Sequence, residues 1–226
     1  MEWKNQLAVF KWNIKNFRWI YSIWGILYIV VLPALGLLMR RGIPGEQLGL
    51  SYGYFIYIVR MLVYMLGALP FLMTLYSIMH TGAGDCIKTA TCWREGVQYM
   101  LHFCLQGALV TVTMAFAGVI FRGSMVSDQV WQDYICLIVV LWFISALAHC
   151  LARVFGQVYG ALIVIELYIV LCWLMGLGQE RIWNLFSLEI LEGLAFWMRA
   201  VSLVCVGIAL EVFAVIRKSV KRRKSS

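Results

Sequence analysis

Charged residues are scarce in this chain. They make up 13% of its 226 residues, and 63% of the residues are hydrophobic, whereas a soluble globular domain has about a quarter of its residues charged. The apolar runs repeatedly exceed the roughly 18 residues that a transmembrane helix needs, and they lack the period-two alternation of membrane β-barrel strands. The composition therefore excludes a soluble protein and a β-barrel, and it predicts an all-α integral membrane protein.

The chain also has little proline and no interdomain linker. It contains 3 prolines, and no stretch rich in serine, glycine or charge interrupts its interior, so we expect one polytopic domain without an internal repeat. Seven cysteines are an odd number, and none falls in a predicted outer loop, so no external disulfide is expected. Pro33 and Pro70 each lie inside an apolar run, where the missing amide donor predicts a kink.

Six apolar runs are predicted to cross the membrane, within a transmembrane domain over residues 19–216. Residues 1–18 form an amphipathic helix with apolar residues at steps of three and four, which we expect to lie in the membrane surface, to pack on protein, or both. A basic tail over residues 217–226 follows the last span. The predicted spans are Trp19–Met39, Tyr54–Ile78, Val97–Phe121, Tyr134–Leu151, Val158–Leu177 and Leu194–Ile216.

Basic residues are distributed unevenly along the chain. Most of them lie before the first span and after the last. Their position is therefore more informative than the net charge of +8. Such flanking clusters hold both termini in the cytoplasm beside anionic lipid and do not indicate nucleic acid. This N-in, C-in orientation makes Met79–Gln98 a cytoplasmic loop that includes a short helix, and it places residues 178–193 outside, where we expect one or two short helices.

The sequence contains no recognisable catalytic or metal-binding motif. The run Gly82–Thr89 superficially resembles a phosphate-binding loop, but Ile87 occupies the position where that loop requires glycine. The histidine, aspartate and cysteines of Met79–Gln98 lack the close cysteine pair of structural zinc sites. We therefore expect this chain to be no enzyme and to bind neither a metal nor a nucleotide.

Ionisable residues inside spans are candidates for function, because charge is costly there. The predicted spans contain Arg60, Glu166 and Glu211. Arg60 and Glu166 differ in depth by about 9 Å, so we expect no ion pair between them. Glu211 is expected to reach the cytoplasmic surface or to meet a basic residue of the tail. Two interpretations of Glu166 stay open, a carboxylate that faces a cavity or partner and a hydrogen-bonded structural residue.

Gly156 and Gly160 form a GxxxG pair at the inner end of the fifth predicted span. This spacing lets two helix backbones approach closely. The sequence leaves open whether the pair packs helices within the chain or forms an interface between two subunits.

The order of these parts resembles that of the ABC-2 type permeases, which are membrane subunits of bacterial ABC exporters. The shared layout has an amphipathic N-terminal helix, six spans, a cytoplasmic loop after span two and short outer helices before span six. Within the loop, Asp85, Lys88–Thr91 and Arg94 are similar to the family's acidic residue, basic and small-residue stretch, and basic residue. Cys92 and Trp93 replace the proline that usually precedes that basic residue.

The resemblance implies the permease subunit of an ATP-driven exporter in the bacterial cytoplasmic membrane. ATP and magnesium would be bound by a separate ATP-binding ABC subunit, so no cofactor is expected on this chain. A second permease subunit, identical or related, would complete the transporter, and membrane lipid would surround it. Aromatic-rich apolar spans favour amphipathic peptides or other hydrophobic compounds as the substrate.

The resemblance also implies roles for individual residues. The family's loop forms a coupling helix that docks on the ATPase, beside the N-terminal helix, and spans two and five line the translocation path. The residues implied for ATPase coupling are Asp85, Lys88, Trp93, Arg94 and Glu95, and those implied for the path are Tyr57, Arg60, Tyr64 and Glu166.

Two other classes of protein stay open. An ion-coupled secondary transporter or channel would use Glu166 as its proton or cation site, although this class usually shows an inverted repeat, which is not visible here. A membrane scaffold or sensor that transports nothing is the other class.

Overall fold

The computed structural model describes residues 2–41, 47–80, 93–122, 124–176 and 193–223. Within these ranges the chain is helical and contains no strand, which confirms the prediction of an all-α protein. In chain order the elements are α1 (Glu2–Asn16), α2 (Arg18–Ile26), a π-helical turn (Leu27–Val31), α3 (Leu32–Arg40), α4 (Leu48–Leu66), α5 (Leu69–His80), α6 (Trp93–Ile120), α7 (Ser124–Phe155), α8 (Val158–Gly176) and α9 (Gly193–Arg223).

Five helical stretches in the described residues are long and apolar enough to cross a membrane. The predicted fifth span corresponds to α8, whose apolar part, Val158–Leu174, is shorter than the other stretches. The chain is therefore a multi-pass membrane protein. The five long stretches are Arg18–Arg40, Leu48–Met73, Gly96–Ile120, Gln129–Phe155 and Gly193–Arg217.

Helix α7 is the centre of the bundle. It contacts α4, α6, α8 and α9, and its contact with α9 is the most extensive. The fully buried residues Leu137, Leu141 and Ile144 recur at helical spacing along it. In the span that α7 forms, 67% of the residues are buried, whereas in the first and last spans only 22% are buried. The helices α2, α3 and α9 therefore lie on the outside of the bundle.

Both prolines in the spans interrupt regular α-helix, as predicted. Immediately before Pro33 the backbone widens into the π-helical turn Leu27–Val31, which joins α2 to α3 without a break. A π turn is one of the ways in which a helix accommodates a lost backbone hydrogen bond. Before Pro70 the helix ends at Leu66 and restarts at Leu69. The first two spans therefore each contain an interruption of regular α-helix close to a proline.

Helix α1 packs against the first turns of α6. Gln98 Nε2 donates hydrogen bonds to the backbone oxygen of Gln6 at 2.9 Å and to its side-chain oxygen at 3.0 Å. The ring of Phe10 lies edge-on to His102, with centroids 4.9 Å apart. Trp12, on another face of the helix, is 40% exposed. The contacts thus show that α1 packs on protein, one of the two predicted arrangements.

We call the end of the bundle where α1 contacts α6 the α1 end. The opposite end of the bundle is called the far end.

Three helices extend beyond the predicted spans. Trp93 opens α6 itself, so the separate short helix predicted before span three is instead the first turn of that span. Helix α7 begins at Ser124, well before Tyr134, and α9 continues through the basic tail to Arg223. These extensions carry polar and charged residues, and hydropathy detects only the part of a helix that crosses the hydrocarbon core. The outer segment 178–192 lies outside the described residues.

Candidate functional site

Among the described residues, two hydrogen-bonded pairs that each contain a carboxylate join helices inside the bundle, and the first lies at the far end. Arg60 of α4 donates to Asp133 Oδ1 of α7, and the hydroxyl of Tyr52 donates to Asp133 Oδ2 at 2.6 Å. The side chains of Arg60 and Asp133 are only 12% and 14% exposed. Tyr52 is buried and lies edge-on to Phe121. Both carboxylate oxygens therefore have a partner, and the pair fastens α4 to α7.

Asp133 was not predicted as a site residue, because it stands immediately before the predicted fourth span. The available signal was Arg60, since a charge inside a span usually pairs with another charged group. The predicted orientation brings the beginning of span four to the same end of the bundle as Arg60. A search for a counter-ion at that depth would have found Asp133.

The remaining path residues of span two contact different helices. Tyr64 is fully buried, and its hydroxyl lies 3.7 Å from Cys136 Sγ of α7. Tyr57 accepts a hydrogen bond from the indole of Trp173 on α8 and is 36% exposed. Among the described residues, the predicted path side chains thus contact two neighbouring helices. Their role in a translocation path stays a prediction.

Glu166 lies in the middle of α8 and is partly exposed. Its neighbours Ile163 and Leu167 are 60% and 57% exposed, so this face of α8 points away from the core. Within the described part of the chain, Glu166 makes no hydrogen bond or ion pair. Both interpretations of Glu166, a carboxylate that faces a cavity or a partner and a hydrogen-bonded structural residue, stay predictions.

The second pair lies at the α1 end. His149 Nδ1 of α7 is 2.8 Å from Glu211 Oε2 of α9, and the two side chains are 1% and 14% exposed. Glu211 was expected to reach the surface or to meet the basic tail, whereas its partner among the described residues is His149, because α9 packs along α7. Arg217, the first basic residue of the tail, donates instead to the carbonyl of Val154 at 3.1 Å.

Only one carboxylate oxygen of Glu211 is engaged. Its Oε1 atom is buried and has no hydrogen-bond partner among the residues that the structure describes. Buried polar atoms are usually hydrogen-bonded, so an exception requires an explanation. Within the described ranges, no group of three histidine, cysteine, aspartate or glutamate side chains converges that could hold a metal ion.

Aromatic rings enclose the second pair. Tyr99 of α6 stacks on His149, with ring centroids 6.1 Å apart and an interplanar angle of 18°. Phe71 of α5 lies edge-on to His149 at 5.3 Å. The Tyr99 hydroxyl donates to the carbonyl of Trp142 at 3.2 Å, and the two rings meet edge to face at 5.3 Å. The imidazole is thereby held in one orientation towards Glu211.

A groove of about 620 Å³ opens beside Glu211, between α6 and α9. Its rim residues Met100 and Val212 are 45% and 52% exposed, so the groove is reached from the side of the bundle. No sequence pattern predicted this groove, because it depends on which faces of two non-consecutive helices meet. It is lined by Gly96, Val97, Tyr99, Met100, Leu101, Cys104, Trp142, Glu211, Val212, Val215 and Ile216.

The predicted coupling residues lie at the edge of what the structure describes. Trp93, Arg94 and Glu95 form the first turn of α6, but their side chains are outside the description, as are Asp85 and Lys88 altogether. Because Gln98 bonds to α1, the amphipathic helix lies about one turn from this segment.

The two glycines of the GxxxG pair do not lie on one helix. Gly156 has a φ of +69° and falls between the end of α7 and the start of α8. Its left-handed backbone conformation ends α7, a role for which glycine is preferred. Gly160 lies in the first turn of α8. The predicted geometry of the pair is therefore wrong, and a contact of either glycine with a second subunit stays a prediction.

No protein-family model, curated protein or solved structure matches this chain.

Proposed function

We propose that this chain is the membrane-spanning permease subunit of an ATP-driven exporter, whose energy comes from a separate ATP-binding subunit. The observation that carries the proposal is the position of α1. The hydrogen bonds from Gln98 to Gln6 hold this helix against the beginning of α6, directly after the polar segment 79–92. In the ABC-2 type permeases that the sequence resembles, the N-terminal helix likewise lies beside the coupling loop.

The continuity of α6 supports a mechanical role for this arrangement. From Trp93 to Ile120 the helix is unbroken, so a displacement at its first turn is carried along its length. The hydroxyl of Thr113 on α6 donates to the carbonyl of Tyr28 at 3.0 Å, within the π-helical turn of the first span. A docked ATPase that moves the start of α6 would thus act on the π-helical turn of the first span.

The proposal includes six membrane crossings with both termini in the cytoplasm. Helix α8 has 19 residues, which at 1.5 Å per residue give about 28 Å, close to the roughly 30 Å of the hydrocarbon core. Counting α8 as a crossing gives an even number and agrees with the basic residues at both termini. The low burial of the first and last spans, 22% each, leaves surface for a second permease subunit and for lipid. Amphipathic peptides or other hydrophobic compounds are the proposed substrate.

A second candidate function is an ion-coupled transporter. Glu166 favours it, because this carboxylate lies in the middle of α8 without a hydrogen-bond or ion-pair partner among the described residues. Intramembrane carboxylates of this kind serve as proton or cation sites.

Purification of the tagged chain from its native membranes in a mild detergent tests the exporter proposal. We expect the eluate to hydrolyse ATP and to contain an ATPase subunit without membrane spans. The same chain, separated from that subunit, should neither bind nor hydrolyse ATP. A chain that elutes without any ATPase, in a detergent that preserves other membrane complexes of the same cells, would contradict the proposal.

A further inference from the structure

We propose that the groove between α6 and α9 binds an organic cation, a molecule with an apolar body and one positively charged head, with Glu211 as its counter-ion. Tyr99 and Trp142 form the aromatic part of this site, which we call the cation groove. Binding of a cation in this groove does not depend on the exporter proposal. Only the further idea that such cations are transported would rest on that proposal.

The sign of the ligand's charge follows from the lining. Among the lining residues that the structure describes, Glu211 is the one carboxylate, and none is a lysine, an arginine or a histidine. His149 engages Glu211 Oε2, whereas Oε1 is buried and has no hydrogen-bond partner among the described residues. A cationic head that donates to Oε1 would satisfy this atom, whereas an anionic head would be repelled by it.

The nearest basic side chain of the same helix is directed elsewhere. Arg217 of α9 lies beyond Glu211 in the chain, and its guanidinium donates to the carbonyl of Val154 at the end of α7. It forms no ion pair with Glu211 in the described structure. The groove therefore keeps an unshared acceptor even though the tail that follows it is basic.

Aromatic rings give the groove a second means of recognising a cation. Tyr99 and Trp142 both line it, and their planes meet at 67°. Rings of tyrosine and tryptophan attract organic cations through their electron-rich faces. The indole of Trp142 lies directly against Gly207 of α9, where a Cβ atom would collide with it. The ring is thus fixed between α7 and α9.

The rest of the lining suits an apolar body. Met100, Leu101 and Val212 are among the aliphatic side chains that surround the remaining volume. The volume of about 620 Å³ lies within the roughly 300–1,000 Å³ of sites that hold drug-sized ligands. Exposed rim residues leave the groove accessible from the side, by the route through which a membrane-dissolved amphiphile would arrive.

Equilibrium dialysis of the purified chain with radiolabelled tetraphenylphosphonium tests the proposal, with excess unlabelled cation defining the specific signal. We expect saturable binding at about one cation per chain. The affinity should fall by about tenfold or more in Glu211→Gln, because the probe, which has no hydrogen-bond donor, loses the attraction between its positive charge and the carboxylate. Tetraphenylborate has the same shape and the opposite charge, and in a separate dialysis it should show no saturable binding.

A second variant tests the groove without changing its charge. A Cβ at Gly96 meets nothing within 4 Å, so Gly96→Leu should fold and fill the groove, with a similar loss of binding. Gly53→Leu is the matched control, because Gly53 is an equally open helical glycine outside the groove, and it should bind like the wild type. The absence of saturable cation binding, undiminished binding in Glu211→Gln or Gly96→Leu, or saturable binding of tetraphenylborate by itself would overturn the proposal. If Glu211→Gln does not fold, cation binding by Gly96→Leu and the measurement with tetraphenylborate still test the proposal.

Discussion

The two carboxylate-containing pairs that join helices in the described part of the bundle differ in how their carboxylate oxygens are used. Asp133 at the far end has both carboxylate oxygens engaged, one by Arg60 and one by Tyr52. At the α1 end, Glu211 has one oxygen engaged by His149 and the other without a hydrogen-bond partner among the described residues. The first pair is thus a closed connection between helices, whereas the second keeps binding capacity.

The difference follows from where each pair lies in the fold. Arg60 and Asp133 belong to α4 and α7, whose spans are 56% and 67% buried, whereas α9, which carries Glu211, is buried over only 22% of its span. A carboxylate on an outer helix can face a groove, but one between two inner helices has to be satisfied within the protein. The identity of a charged residue in a span therefore does not distinguish a structural role from a binding role. Whether each of its polar atoms has a hydrogen-bond partner does distinguish them.

The largest effect is expected when the far-end pair is broken on one side. Asp133→Ala would leave Arg60 charged and without its carboxylate, which typically costs about 3–5 kcal/mol for a buried pair. Because the two side chains keep 12% and 14% exposure, we expect about 3 kcal/mol, near the low end of that range. Unfolding titrations in mixed micelles would measure the loss in the free energy of unfolding.

The double variant Arg60→Met with Asp133→Leu is the control for this prediction. It removes both charges and fills the space with apolar side chains, so it should recover most of the lost stability. If Asp133→Ala unfolds like the wild type, or if the double variant is no more stable than Asp133→Ala, the far-end pair is not the closed connection described here.

A smaller effect is expected at the α1 end. Glu211→Gln keeps an amide oxygen that His149 can bond and leaves no charged carboxylate in the span, so we expect a loss of at most about 1 kcal/mol in the free energy of unfolding. The same mixed-micelle titrations measure it beside Asp133→Ala. A loss as large as that of Asp133→Ala would show that both pairs are structural, and the contrast between them would fail.

The sequence predicted the spans better than their ends. Five of the six runs correspond to long apolar helices, because hydropathy directly reports the cost of placing a residue in the hydrocarbon core. The start of α7 at Ser124 was not predictable in this way, since its first turns are polar. For the same reason Asp133 was left outside the span, and its pairing with Arg60 was missed.

The candidate sites were less predictable than the spans. The pairing of His149 with Glu211 and the cation groove depend on α9 lying along α7 and close to α6, and a single sequence does not state which non-consecutive helices are neighbours. The spacing of Gly156 and Gly160 matched a packing motif, but spacing alone does not show that a helix begins at Val158. Local patterns thus predicted elements, and the sites arose from the contacts between elements.

The most direct test of the exporter proposal is the amount of ATPase that co-purifies with the tagged chain when the first turn of α6 is changed. Aromatic and arginine anchors at the centre of an interface each contribute about 2 kcal/mol or more, so Trp93→Ala and Arg94→Glu should each lower the affinity for the ATPase by about 30-fold. Trp131→Ala and Arg40→Glu change exposed residues at the far end and should keep the complex intact. Glu166→Gln should also keep it.

We expect ATPase to be lost from the Trp93→Ala and Arg94→Glu purifications and retained in the far-end controls, while all variants remain inserted and monodisperse. Wild-type amounts of ATPase with Trp93→Ala and Arg94→Glu would contradict the assignment of Met79–Gln98 as the coupling segment.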